Sequence, residues 1–182
     1  YLMLLIVFLV YVPVSQGTPF TDAVKADDTA ALDSLLAGEK VARQLNKKDD
    51  TGTAPLHYAV TMNHRHLVSR LAAAGADLDI QDENGRTPAM LAALRGDAPI
   101  VGYLIRNGAT VDAQDNAGMT AFHFAVSKGS DVAFDTLRYY GAGLDVANNR
   151  GRTPLALAVL EEKSEMINRL LLAGANANLR DK

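Results

Sequence analysis

The chain is written in steps of 33 residues. Gly52, Gly85, Gly118 and Gly151 stand at that interval, as do Ala59, Ala92, Ala125 and Ala158, then Leu71, Leu104, Leu137 and Leu170. A second glycine series, Gly75, Gly108, Gly141 and Gly174, keeps the same step. A fixed period of this length restricts the chain to a repeat architecture: one small unit cannot bury its apolar face alone, and stacked copies make a continuous core.

Each unit carries its own start and stop signals. In Gly85-Arg86-Thr87-Pro88 and Gly151-Arg152-Thr153-Pro154 the threonine suits an N-cap, and proline fits the first helical position, where no donor is needed. This starts a helix A with small residues on one side (Ala92 and Ala93, Ala158 and Val159). After a short break at Gly96 or Gly129, a second apolar set follows at helical spacing: Leu67, Val68 and Leu71; Ile100, Val101 and Leu104; Ala133, Phe134 and Leu137; Met166, Ile167 and Leu170. This helix B stops at the second glycine series, which suits a left-handed position after a helix. Ala76-Asp77-Leu78-Asp79 and its copies then lead to turns such as Asp82-Glu83-Asn84-Gly85, a hairpin signal.

Turn, helix, turn, helix at 33 residues, with Ala54-Pro55-Leu56-His57, Thr87-Pro88-Ala89-Met90, Thr120-Ala121-Phe122-His123 and Thr153-Pro154-Leu155-Ala156 at the helix A starts, resembles the ankyrin repeat. None of the four strings matches the family's TPLH in full. The resemblance covers residues 20–182 and implies an all-α solenoid of about five helix-turn-helix units with short hairpin fingers. The expected units are 18–48, 49–81, 82–114, 115–147 and 148–182. The first is divergent: Leu45 stands 33 residues before Leu78, whereas Phe20 and Ala23 stand 36 before Leu56 and Ala59. The difference implies a three-residue insertion between Gly38 and Arg43.

Residues 1–12 are an uninterrupted apolar run ending before Pro13, and Ser15-Gln16-Gly17 offers small residues for cleavage. The segment 1–17 reads as a secretory signal peptide whose start lies upstream of Tyr1. Twelve residues are too few to span a bilayer, which needs about 20. The alternative is an uncleaved membrane anchor extended by preceding residues. A short leader and the absence of an N-x-S/T sequon in the repeats favour the periplasm, with membrane anchoring or secretion as alternatives.

The remaining chemistry is sparse. A net charge of -3 argues against nucleic acid or an anionic membrane as the main partner. The lack of cysteine removes disulfides, thiol nucleophiles and thiolate metal sites. Neither HExxH, a P-loop, a dinucleotide fingerprint nor a GxSxG context for any serine occurs, so no catalytic, cofactor, small-molecule or metal residues are assigned and the chain is read as no enzyme. His57 and His123 occupy the TPLH histidine position and are expected to tie neighbouring turns together. His64 and His66 lie two apart, a poor pair for one metal ion, and offer at most a pH-sensitive contact. Asp49-Asp50 and Glu161-Glu162 are expected to be solvated.

Binding is the open function, because a solenoid presents the same position of successive units on one concave surface. By the resemblance this surface is made of hairpin tips and the exposed end of helix A. The candidate partner-binding residues at the tips are Thr53; Glu83, Asn84 and Arg86; Asn116 and Met119; Asn149, Arg150 and Arg152. On helix A they are Met62, Leu94, Arg95, Lys128 and Leu160. Met62, Leu94, Met119 and Leu160 place one apolar side chain in each unit and are expected to form a contact row. A second candidate is Arg138-Tyr139-Tyr140: position 138 matches Ile105 and Leu171, so its arginine departs from an apolar pattern. The tyrosines read either as interface anchors or as cover for a gap beside Ala121 and Ala133. After the last helix B, either Glu161, Glu162, Lys163 and Glu165 supply a polar end face or a partner covers it.

The resemblance implies a protein partner. Exported bacterial ankyrin-repeat proteins include self-protection (immunity) proteins that block cell-wall endopeptidases, and accessory factors that support a periplasmic enzyme. The expectation is therefore a periplasmic binding module that docks on an enzyme and occludes its active site. The alternative is a membrane-tethered scaffold supporting one.

Overall fold

Capping places each helix A. The computed structural model describes residues 17–38 and 41–179; the apolar run 1–12 lies outside the described residues, as does part of the segment assigned to the insertion. Thr18 Oγ1 accepts from the N–H of Thr21 at 3.1 Å and opens α1 (Pro19–Lys25). Thr87, Thr120 and Thr153 open α6 (Pro88–Arg95), α8 (Ala121–Lys128) and α10 (Pro154–Leu160) in the same way. Ala54, before α4 (Pro55–Thr61), has no hydroxyl; there the His57 ring reaches back to the cap, its Nδ1 accepting from the Ala54 N–H at 3.1 Å.

Each helix A is followed by a helix B running back beside it. The partners are α2 (Thr29–Leu36), α5 (Arg65–Ala73), α7 (Ala98–Arg106), α9 (Asp131–Tyr139) and α11 (Ser164–Ala173). The single turn α3 (Val41–Gln44) links the first pair to the second, and no strand occurs among the described residues. Helices A stack as α1, α4, α6, α8 and α10, with α5, α7 and α9 packed behind them. The architecture is an all-α repeat solenoid.

Small side chains set the spacing and large ones fill the core. Ala59, Ala92, Ala125 and Ala158 are wholly buried where helices A meet, and Leu71, Leu104, Leu137 and Leu170 are wholly buried on helices B. In the fourth pair Phe122 and Phe134 bring their rings to 5.0 Å between centroids. Truncating any of these leucines to alanine costs about 2–5 kcal/mol, because the stacked neighbours cannot collapse into the space.

The fingers between units are built on a side-chain turn. Asp82 Oδ1 accepts from the N–H groups of Asn84 at 2.8 Å and Arg86 at 2.9 Å. Asp49, Asp115 and Asn148, at the same position of the other repeats, do the same for their own fingers. Successive fingers are then bonded together. The Asn116 N–H donates to the Asn84 carbonyl, and the Asn149 N–H to that of Ala117, each at 3.0 Å. Gly85 is required by this approach: a Cβ there would lie 2.6 Å from the backbone nitrogen of Asn116. Behind the fingers Asp79, Asp112 and Asp145 accept from backbone N–H groups of Thr110, Gly143 and Asn176, one unit on.

Candidate functional site

The structure sorts the residues expected on the finger tips and on the C-terminal ends of helices A into free and committed ones. Met62, Leu94, Arg95, Lys128 and Leu160 on the helix ends are exposed, as are Glu83, Asn84 and Arg150 on the tips. The Arg86 guanidinium is half-buried and folds back on its own finger, its Nε donating to Asp82 Oδ2 at 3.0 Å. Burial pushes the Asp82 carboxyl up, but hydrogen bonds from Arg86 outweigh it and hold the group below the usual carboxylate range. Asn116 and Asn149 spend their side-chain amides on the carbonyls of Glu83 and Asn116. Thr53 belongs to the hydrogen-bond set around Asp49. Arg152 is half-buried at the base of the last finger.

The four-residue apolar row is not continuous. Met119 is half-buried, with its sulfur accepting from the Asn148 amide at 3.3 Å, because it sits at the finger base one repeat step from Arg86. Leu94 and Leu160 share a helix A register in which Ser127 intervenes, and Met62 sits one residue further along. The exposed apolar groups are therefore separate patches at Met62, Leu94 and Leu160, interleaved with Arg95 and Lys128.

Tyr139 and Tyr140 belong to a different surface. They lie at the end of α9 with ring centroids 5.1 Å apart and line an open groove of about 510 Å³ with Pro99, Gly102, Tyr103 and Arg106 of α7. Tyr139 is 84 % exposed. Tyr140 lies over Gly102, where a Cβ would meet its ring at 3.5 Å. Position 138 is not an interior one either: Arg138 and Leu171 are exposed and Ile105 is half-buried, so arginine there departs from no buried pattern.

The histidines of helices A are structural bolts. His57 Nε2 donates to the carbonyls of Ile80 at 3.0 Å and Arg86 at 3.2 Å, which belong to the next finger. His123 Nε2 donates to the Arg152 carbonyl at 3.2 Å, while its Nδ1 accepts from the Thr120 N–H. Burial lowers the pKa of both rings, so the neutral form fits the site. His64 and His66 both approach Asp27 Oδ1, at 3.2 and 3.3 Å. Among the described residues no group of three or more histidines, cysteines or carboxylates is placed to hold a metal ion, and no helix is long and apolar enough to cross a membrane.

One cluster was hidden from sequence reasoning. Asp49 is buried, not solvated, and its carboxylate accepts from Lys25 Nζ at 3.1 Å, Tyr58 Oη at 2.8 Å and Thr51 Oγ1 at 2.6 Å. Lys25 also lies 4.1 Å from the Tyr58 ring centroid. Burial pushes the Asp49 carboxyl up, and hydrogen bonds from Thr51, Tyr58 and Lys25 outweigh it, holding the group far below the usual carboxylate range. Its signal in the sequence is the series Asp49, Asp82, Asp115 and Asn148 at the 33-residue step. The partners Lys25 and Tyr58 carry no such signal.

A family model described as ankyrin repeats, in three copies, matches residues 63–147 and, overlapping them, 90–181. No curated protein matches the chain.

Proposed function

The chain belongs to the ankyrin-repeat family and is a protein-binding module, and from that premise we propose that it holds one protein partner against its finger tips and helix A ends. The observation that carries this reading is that Met62, Leu94 and Leu160 are exposed on the helix A ends together with the cations Arg95 and Lys128, while successive fingers, whose tips expose Glu83, Asn84 and Arg150, are bonded to one another. A preformed surface of this kind loses little freedom on binding. Its apolar patches give contact area, and the charges around them select the partner.

We propose further that the module is exported, and that its partner is an enzyme of the same compartment whose cleft it covers, in a self-protection role against a peptidoglycan endopeptidase. The apolar run 1–12 followed by Ser15-Gln16-Gly17 supports the export reading. A membrane-tethered scaffold that supports a periplasmic enzyme is the second reading, favoured if the same run is retained as an anchor.

The test is capture from a periplasmic fraction with residues 18–182 as bait, followed by assay of the retained enzyme. Loss of its activity at stoichiometric ratio supports occlusion. Retained or raised activity supports the scaffold, and capture that survives Leu94→Glu with Arg95→Glu sinks the docking surface itself.

A further inference from the structure

Arg70, Tyr103, Thr136 and Arg169 share one register position on helices B, at the 33-residue step. Three of them reach back to the preceding helix B. Arg70 on α5 donates to Asp33 on α2, Tyr103 Oη on α7 to the Ser69 carbonyl on α5 at 3.4 Å, and Arg169 on α11 to Asp135 on α9 at 2.6 Å. Thr136 does not reach back: its hydroxyl donates to the Val132 carbonyl of its own helix at 2.8 Å, and opposite it stands Gly102, which has no side chain. A Cβ at Gly102 would lie 3.3 Å from the Thr136 methyl, so a larger residue there would fill the space that the missing bridge leaves.

That space is the trough of about 510 Å³ between α7 and α9. Tyr103 lines it from α7, and Tyr139 and Tyr140 line it from the end of α9 with their rings nearly perpendicular, at 86°. Pro99 and Arg106 fall one turn before and one turn after Gly102 on the same face of α7. Among the lining residues one charge is uncompensated. The Asp135 carboxylate is taken by Arg169, whereas Arg106 is exposed and enters no ion pair among the described residues.

An occupant that fits therefore brings an anionic group to Arg106 and flat apolar groups to the tyrosine rings. A helix meets this demand poorly, because its backbone groups are bonded internally and the tyrosine hydroxyls would find only side chains. A polyproline II segment leaves its carbonyls free. The hydroxyls of Tyr139 and Tyr140, which have no partner among the described residues, can donate to them. Proline has no N–H, so it buries no unpaired donor against the rings.

We propose that the trough between α7 and α9 is a second binding site, on helices B and separate from the finger tips, for an extended proline-rich peptide segment that sets an acidic side chain against Arg106.

The probe is a synthetic peptide of about ten prolines interrupted by one central glutamate, titrated into the isotope-labelled full chain and followed by NMR. The backbone amide signals of Gly102, Tyr139 and Tyr140 are expected to shift, and those of Glu83 and Asn84 on the fingers to stay in place. Tyr139→Ala and Arg106→Glu alter exposed side chains, so the fold is kept, and each is expected to weaken binding by at least about tenfold. Lysine in place of the peptide's glutamate should cost the parent chain a similar factor and be accepted by Arg106→Glu. Unmoved signals at Gly102 and Tyr140, equal binding of the lysine peptide by the parent, or unchanged binding by Tyr139→Ala each overturn the proposal. Shifts of the same signals by a neutral oligosaccharide, with none from the peptide, assign the trough to a carbohydrate and overturn it as well. This site does not depend on the finger surface: its probe is a synthetic peptide and not the captured enzyme, so failure of one leaves the other standing.

Discussion

His57 Nε2 lies 3.2 Å from the carbonyl oxygen of Arg86, 29 residues further along the chain, so a side chain at the start of one helix A holds the finger of the next unit. The same ring accepts from the Ala54 N–H, so one imidazole caps its own helix and joins two units. His123 and Arg152 repeat the arrangement two units later, while Met90 takes the position between them. Both rings must be neutral to accept at Nδ1 and donate at Nε2.

Acid should therefore weaken the stack at the histidines first. Burial lowers both imidazole pKa values from 6.5, so below about that pH the unfolded chain binds more protons than the folded one. Stability is expected to be full above pH 6.5 and to fall as pH drops below it towards the folded pKa. Urea midpoints measured across this range check the sign, and His57→Gln should flatten the slope. At neutral pH His57→Ala should cost about 3 kcal/mol, from the cavity and the unpaired carbonyls.

Asp49 and Asp115 make the same finger turn but should respond differently to amide substitution. Asn148 already does the work in the last finger, so Asp115→Asn should change stability by less than about 0.5 kcal/mol. Asp49→Asn keeps the turn but strips Lys25 of its counter-charge, at a cost of about 1–2 kcal/mol given that Lys25 is partly exposed. The Asp49 carboxyl is held below its ordinary 3.8, so its contribution is present above that pH and is lost as pH falls below it. Thermal melts of the two variants at pH 7 and pH 3 separate these effects. Equal losses at pH 7 would remove the special role of the Lys25 pair.

Glu162 occupies a left-handed position. The residue between helix A and helix B has φ 63° at Asn63, 74° at Gly96, 72° at Gly129 and 55° at Glu162. A glutamate there strains its Cβ by about 1 kcal/mol. Glu162→Gly is expected to raise the melting temperature by roughly 2–4 °C, and Gly129→Ala to lower it. An unchanged melt for Glu162→Gly would mean that the backbone at this turn relaxes.

Leu94→Glu combined with Arg95→Glu should weaken partner binding by at least about tenfold, as expected when a central contact is reversed in charge. The melt should stay within about 0.5 kcal/mol of the parent, since both side chains are exposed. Met119 makes a poor probe of the same surface, because a charge there would break the contact with Asn148 and disturb the finger. Calorimetry with the captured partner gives the affinity. An unchanged value would move the site towards Tyr139 and Tyr140.

Much of the fold was legible because repetition multiplies weak signals. Thr87-Pro88 alone is an ordinary helix start, but with Thr120 and Thr153-Pro154 at the same step it sets the register of the whole stack. The helix pairs, their caps and the inter-unit role of His57 and His123 follow from short-range rules applied in register. The candidate surface was legible only to the level of which end of each unit it lies on. Whether a polar side chain there is free depends on its neighbours one unit away: Arg86 turns back to Asp82, Asn149 is bound to the previous finger, and Met119 is covered by Asn148.

By itself, then, the sequence determined the period, the helix boundaries and the residues that face the core, because these depend on patterns local to one unit and copied down the chain. Only the tertiary structure decided that Asp49 is buried against Lys25 and Tyr58 and that Tyr140 covers Gly102. Each of these depends on which atoms of another unit arrive within a few ångströms. Side-chain burial and pairing between units are three-dimensional quantities, and a one-dimensional repeat fixes the register of such contacts without fixing their occupants.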